Sequence, residues 1–196
     1  MSLIKLILAR CNIGDDGLVA IAGDLRLSKC LDYLCVADCS LTFHSMSMVA
    51  DVVKFQFAIR SSTKWIETLR QDGDEMPPTS QANAAKRIDL CKNRLGNTGA
   101  ILLSEALREP IGLRAIDLQW NHIGNQGGLA LLKLVQENQD LVLLDVRNNE
   151  IDDTIVQQIR YQLLKNANSF LRACGIHEKI GDLSELPVVL KVGHKR

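Results

Sequence analysis

The stretch that decides the fold is "LRAIDLQWNHI", residues 113–123. Apolar residues stand at its first, fourth, sixth and eleventh places, with Asn121 at the ninth. Stepping back by 28 residues gives "AKRIDLCKNRL" (85–95), and stepping forward by 28 gives "LVLLDVRNNEI" (141–151). Two further copies are "LIKLILARCNI" (3–13) and "LDYLCVADCSL" (31–41). All five fit the frame L-x-x-L-x-L-x-x-[NC]-x-L, with Ala85 as the one weak first position. The starts at 3, 31, 85, 113 and 141 are spaced 28, 54, 28 and 28, so the long gap is one repeat plus an insertion of 26 residues.

Each half of the unit has a physical reason. Alternation at L-x-L directs apolar side chains to the inner face of a short strand. The ninth residue (Cys11, Cys39, Asn93, Asn121 or Asn149) turns inward, where it can satisfy backbone groups at the bend. The segments "IGDDGLVAIAGDL", "LGNTGAILLSEAL" and "IGNQGGLALLKLV" then read as helices, with Asp15, Asn97 and Asn125 expected as N-caps. Ala100, Leu103, Ala106 and Leu107 carry the helical spacing of the third unit. A fifth helix is expected from Asp152 or Asp153 through Ile155, Ile159 and Leu163. The fold expected is α/β: a leucine-rich-repeat solenoid of ribonuclease-inhibitor type, with a short parallel concave sheet and helices on the convex side.

The domain expected spans 1–168, five repeats with a helical and loop insertion near 54–84. Residues 169–196 are expected as a C-terminal cap or extended tail. Within the insertion, "SMSMVADVVKFQFAIRSSTKWIETLRQ" reads as a continued helix and "DGDEMPPTSQANA" (72–84) as a loop. Repeat one begins at residue 3 with its apolar side uncovered. Solenoids ordinarily carry a polar cap there, so further repeats of a longer parent, or a partner, are expected on that edge.

The composition excludes several functions. The 196 residues hold 23 Lys plus Arg against 23 Asp plus Glu, a formal net charge of zero. No whole-protein field draws the chain to nucleic acid or an anionic membrane. No apolar run reaches membrane-spanning length, and the N-terminus is a poor signal peptide. A cytosolic setting with six reduced cysteines is expected. There is no C-x-x-C pair, and the four His are scattered, so neither zinc nor another cofactor is expected. No nucleophile elbow or phosphate loop occurs: "GNTG" and "GNQGG" read as turn glycines set by the repeat. The chain therefore reads as no enzyme, and no small-molecule substrate is expected.

The runs "LILARCNIGDDGL" (6–18), "VADCSLT" (36–42), "KWIETLR" (64–70) and the long segment from Gly112 to Asp153 together resemble the leucine-rich-repeat region of the centrosomal protein of 78 kDa family. The insertion weighs most, because it falls at the same place in the repeat order. It keeps Trp65, Glu67, Leu69 and Arg70 in a W-x-E-[ST]-L-R pattern. The resemblance implies a non-enzymatic interaction scaffold of the cytoplasm and cytoskeleton, at the centrosome, centriole or cilium base. It further implies a part in cilium assembly and in regulating a ubiquitin ligase, with centriolar or ligase components as protein partners. The alternative is a structural axonemal protein held in a microtubule-associated assembly.

Places three, five and seven of the frame are expected to face the concave side. The fifth place runs Ile7, Cys35, Asp89, Asp117, Asp145, so the C-terminal half carries an acidic stripe flanked by Arg87, Lys92 and Arg147. Strands about 5 Å apart would make three stacked Asp repel unless cations or a ligand neutralise them. Two roles are open: a stripe that binds a basic peptide, or an ordinary structural Asp of this repeat type screened by Arg or water. Trp120 has no equivalent in the other repeats and fits an interface anchor beside that stripe. His122 sits at a variable turn place and takes no role. Trp65 and Leu69, at i and i+4, share a helix face that either docks the insertion or forms a partner surface.

Overall fold

The computed structural model describes residues 3–28, 30–70 and 86–175, and for residues 60 and 63–70 it describes the backbone alone. The chain alternates strand and helix throughout: β1 (Lys5–Ile7), α1 (Gly14–Leu27), β2 (Tyr33–Cys35), a 3-10 turn (Phe43–Ser45), α2 (Met46–Arg70), β3 (Arg87–Asp89), α3 (Gly96–Ala106), β4 (Ala115–Asp117), α4 (Asn125–Glu137), β5 (Leu143–Asp145) and α5 (Asp153–Ala173). The five strands form one parallel sheet in the order β1-β2-β3-β4-β5. Register repeats the frame. Leu6 faces Leu34, Leu34 faces Ile88, Ile88 faces Ile116, and Ile116 faces Leu144. The insertion leaves that register intact across the 54-residue step.

The reason lies in α2. Its 25 residues compare with 14 in α1 and 13 in α4, so the extra chain first lengthens a helix. Val49, Ala50, Val52, Val53 and Gln56 of its first half are buried, in the layer where α1 and α3 pack against it. The expected continued helix is present, and the expected loop at 72–84 lies outside the described residues.

The frame residues form one continuous core. Leu34, Val36, Leu41, Ile88, Leu90, Leu95, Leu113, Ile116, Leu118 and Ile123 are all buried there, joined by Leu103, Leu131, Leu134 and Leu163 from the helices. Burial fades at the first repeat, where Leu3, Ile4 and Ile7 are exposed.

The ninth-place ladder forms from repeat two onward, whereas Cys11 of the first repeat is exposed and does not turn inward as expected. Asn93 Oδ1 accepts from the N–H groups of Cys39 (3.1 Å) and Leu41 (3.0 Å), while its Nδ2 donates to Val36 O and Leu90 O (both 2.9 Å). Asn121 donates to Leu90 O and Leu118 O, and Asn149 accepts from the N–H groups of Asn121 and Ile123. Cys39 is a partial substitute: its thiol donates to Leu8 O and Ala37 O.

Two expectations need correction. Asp15, Asn97 and Asn125 do not cap their own helices, because α1 and α3 start one residue earlier, at Gly14 and Gly96, and no residue at these N-termini caps through its side chain. Instead each reaches the next repeat. Asn97 Oδ1 accepts from Gly124 N–H (2.8 Å) and Gly127 N–H (3.0 Å), which satisfies orphan donors at the start of α4. Asp15 accepts from the N–H and hydroxyl of Thr42, and Asn125 pairs with Asp152. Asn97 thus caps α4 from the preceding repeat, and all three contacts tie one repeat to the next. Secondly, α5 runs to Ala173, past the boundary expected at 168. Asn166, Ala167 and Leu171 are buried. Asn166 Nδ2 donates to Val135 O and Leu141 O, so this last part of the helix is stitched to the repeat it follows.

Candidate functional site

The three aspartates are in register, Asp89 opposite Asp117 and Asp117 opposite Asp145. They do not form an open stripe. Asp89 and Asp117 are buried, and the Asp145 side chain is 11% exposed. Each accepts the backbone N–H two residues on: Cys91 to Asp89 (3.1 Å), Gln119 to Asp117 (3.0 Å), Arg147 to Asp145 (3.2 Å). Their neutralisation is local as well. Gln119 Nε2 donates to both Asp117 oxygens, at 3.2 and 3.0 Å. Arg147 grips Asp145 through Nε (2.9 and 3.1 Å) and Nη2 (2.6 Å). Tyr33 OH donates to Asp89 at 3.4 Å, with Arg87 stacked on the Tyr33 ring. These contacts brace the strand ends.

One consequence is measurable. Burial, with the charges of Asp89 and Asp145 added, outweighs the Gln119 hydrogen bonds and pushes the Asp117 carboxyl up to about 6. The folded chain then binds a proton more readily than the unfolded chain, whose Asp titrates near 4. This contribution weakens the fold as pH rises from about 4 to about 6, and the cost stays in force at neutral pH. Asp117→Asn is expected to be more stable than the parent at pH 7, with the difference closing toward pH 4. Urea unfolding at the two pH values checks this, and an equal difference at both would refute it.

Asp89, Cys91 and Asp117 place their ligand atoms within 4.8 Å of one another, which raises a metal centre. The carboxylates are taken up by the amide and side-chain donors just described. Burial, followed by the charges of Asp89 and Asp117, pushes the Cys91 thiol up to about 12. Cys35, Ala37 and Cys91 form a small buried apolar cluster with Tyr33 beside it.

The exposed chemistry lies one place further along each repeat. The eighth-place residues Arg10, Asp38, Lys92, Trp120 and Asn148 all have left-handed backbones, with φ between 53° and 64°. This bend turns their side chains away from the packed interior. Trp120, at φ 57°, is 54% exposed. It lines an open depression of about 390 Å³ with Lys92, Asn93, Arg94 and His122. His122 Nδ1 lies 3.5 Å from Glu150 at the rim. A bulky side chain in the left-handed region costs about 1–2 kcal/mol, whereas Asn tolerates it, as Asn148 does one repeat on. Trp120→Asn is accordingly expected to keep or raise stability, by about 1 kcal/mol at most. A drop in the thermal midpoint would show that the ring holds the fold together.

A family model described as "Leucine Rich repeat" matches residues 1–22, 113–132 and 137–159. The human "Centrosomal protein of 78 kDa" is 34% identical over 115 residues, 58% of this chain and 16% of that protein. The mouse protein of the same name is 34% identical over the same length, 14% of its own.

The chain carries a leucine-rich-repeat region similar to that of the centrosomal protein of 78 kDa family.

The matched stretch is about a sixth of the human relative. Among solved structures, "Leiomodin-1 Actin-Binding Site 2 (ABS2)" superposes with a TM-score of 0.65 over 86% of this chain and 83% of that one, at 15% identity. That likeness is one of fold.

Of the residues expected in the site, Asp89, Asp117, Asp145 and Arg147 come together as strand-end structure. Trp120 lines the depression with Lys92 and Arg94, its backbone N–H donating to Arg147 O. Trp65 and Leu69 lie on α2, and the description there stops at the backbone. Arg94 and His122 were the residues missed. They occupy places the frame leaves variable, so no pattern in a single repeat marks them. The trace in the sequence is lateral: Lys92 and Trp120 occupy the same place in adjacent repeats.

Proposed function

We infer that this chain acts as a non-enzymatic protein-interaction scaffold at the centrosome, with the repeats as a rigid frame for partner-binding edges. The observation that carries this reading is its 34% identity, over 115 residues, to the human and mouse "Centrosomal protein of 78 kDa". The geometry agrees with it in kind. Polar groups of the sheet's inner edge are consumed by the fold, and the depression beside Trp120 is open and shallow, suited to a side chain or two of another protein. No helix among the described residues is long and apolar enough to cross a membrane. The finer reading places the chain at centrioles and the cilium base, in cilium assembly and in regulating a ubiquitin ligase, with components of those machines as partners. Trp120, and on the insertion helix Trp65 and Leu69, are the contacts we propose for them.

A structural axonemal role is the second reading, and one observation favours it. Leu3, Ile4, Ile7, Val19 and Leu27 expose apolar surface on the first repeat, where an assembly neighbour would cover it. Tagging the full chain in ciliated cells separates the two. Signal confined to centrioles and basal bodies supports the scaffold, and signal along the axoneme overturns it in favour of the structural role.

A further inference from the structure

We propose that the depression formed by Lys92, Arg94, Trp120 and His122 docks an acidic peptide segment of a protein partner, with an apolar residue of that segment laid against the Trp120 ring. The proposal rests on the scaffold reading and gives it a place and a partner chemistry.

Charge comes first. The five lining residues include two cations, Lys92 and Arg94, one histidine and no carboxylate. Both cations are exposed, and neither makes an ion pair with a described residue, unlike Arg10, Arg26, Arg108, Arg114 and Arg147. Glu150 lies 3.5 Å from His122 Nδ1 at the rim, an ion pair only when the imidazole is protonated. The chain as a whole has zero net charge, so the positive charge of this depression is local, and it matches an acidic partner.

Shape supplies independent support. Trp and Arg are the residues that most often anchor interfaces. Trp120 is exposed, and the left-handed backbone it shares with every eighth-place residue carries its ring to the surface. Neighbouring buried parts fix the edge: Lys92 N–H donates to Gln119 O (2.8 Å), Arg94 N–H to Leu41 O (2.8 Å), and Asn93 is locked into the ladder. The surface is thus preorganised, which lowers the ordering cost of binding. Nucleic acid is the weaker occupant. Two cations neutralise too few phosphates for useful affinity.

The test is selection of a random-peptide display library on the full chain, followed by fluorescence polarisation of the enriched peptides. The expected winners carry several Asp or Glu around one aliphatic or aromatic residue. Their affinity is expected to fall about tenfold or more in Trp120→Ala and in Lys92→Glu/Arg94→Glu, and to weaken with salt. Trp120→Asn, expected to fold at least as well as the parent, should lose the same binding, which separates docking from misfolding. Neutral or basic winners, no winners, or affinities unmoved by these substitutions overturn the proposal. So does a polythymidine oligonucleotide that binds this edge more tightly than any peptide. Acidic winners that bind elsewhere sink this surface and leave the scaffold reading standing. That reading falls separately, if the tagged chain is absent from centrioles.

Discussion

Asn93→Ala is expected to remove about 3–5 kcal/mol of folding stability, a large share of what holds a domain of this size together. The side chain is buried and spans the junction where the insertion interrupts the repeats. Its amide joins β2 to β3 through four buried backbone groups: the N–H of Cys39 and of Leu41, and the carbonyls of Val36 and Leu90. Alanine removes both acceptor and donor, and each stranded group costs about 1–3 kcal/mol unless water reaches it. Repeats in a solenoid touch only their neighbours, so weakening this junction should also broaden the urea transition into two steps. Asn93→Cys gives a calibrated contrast. Repeat two already uses Cys39, whose thiol donates to two carbonyls. Cysteine restores a donor without a good acceptor and should recover about half of the loss. Equal loss for Ala and Cys would show that packing, and not the amide, carries the position.

The second large effect concerns two glycines that look alike on paper. Gly23→Ala is expected to stabilise by about 0.5–1 kcal/mol, while Gly127→Ala destabilises by about 1–3 kcal/mol. Gly23 is exposed on α1 and an added Cβ meets nothing within 4 Å, so alanine keeps its ordinary helix advantage. Gly127 is on α4 where it packs on α3. Its Cβ would lie 2.5 Å from Ile123 Cγ2, and 3.0 Å from both Ala100 Cβ and Asn97 Oδ1. The last contact matters most, because Asn97 Oδ1 also caps α4 through the Gly127 N–H. One methyl group therefore crowds the helix interface and disturbs the cap supplied by the previous repeat. Thermal unfolding of the two variants side by side decides the matter, and the same sign for both would refute the argument.

Much of the site was legible as position and little of it as environment. That Asp89, Asp117 and Asp145 align follows from a 28-residue spacing alone. Their burial does not, because it depends on which side chains close over them, and Gln119 and Arg147 do so by folding back two residues. Reading the acidic stripe as open surface put Trp120 beside aspartates. Its neighbours at the depression are Lys92 and Arg94.

What the sequence by itself determined is the number of repeats, the parallel order of the strands, their register and the core. Those properties come from a covalent period: apolar residues recur at fixed intervals, and stacking is the one arrangement that buries them all. What only the tertiary structure decided is where the polar residues spend their hydrogen bonds. Asp15, Asn97 and Asn125 stand at positions that suit a local cap, yet each serves the following repeat. A carboxylate or amide oxygen accepts from whichever donor the stacked backbone brings within 3 Å. That donor lies about one repeat away in the chain, and only the packed solenoid brings it near.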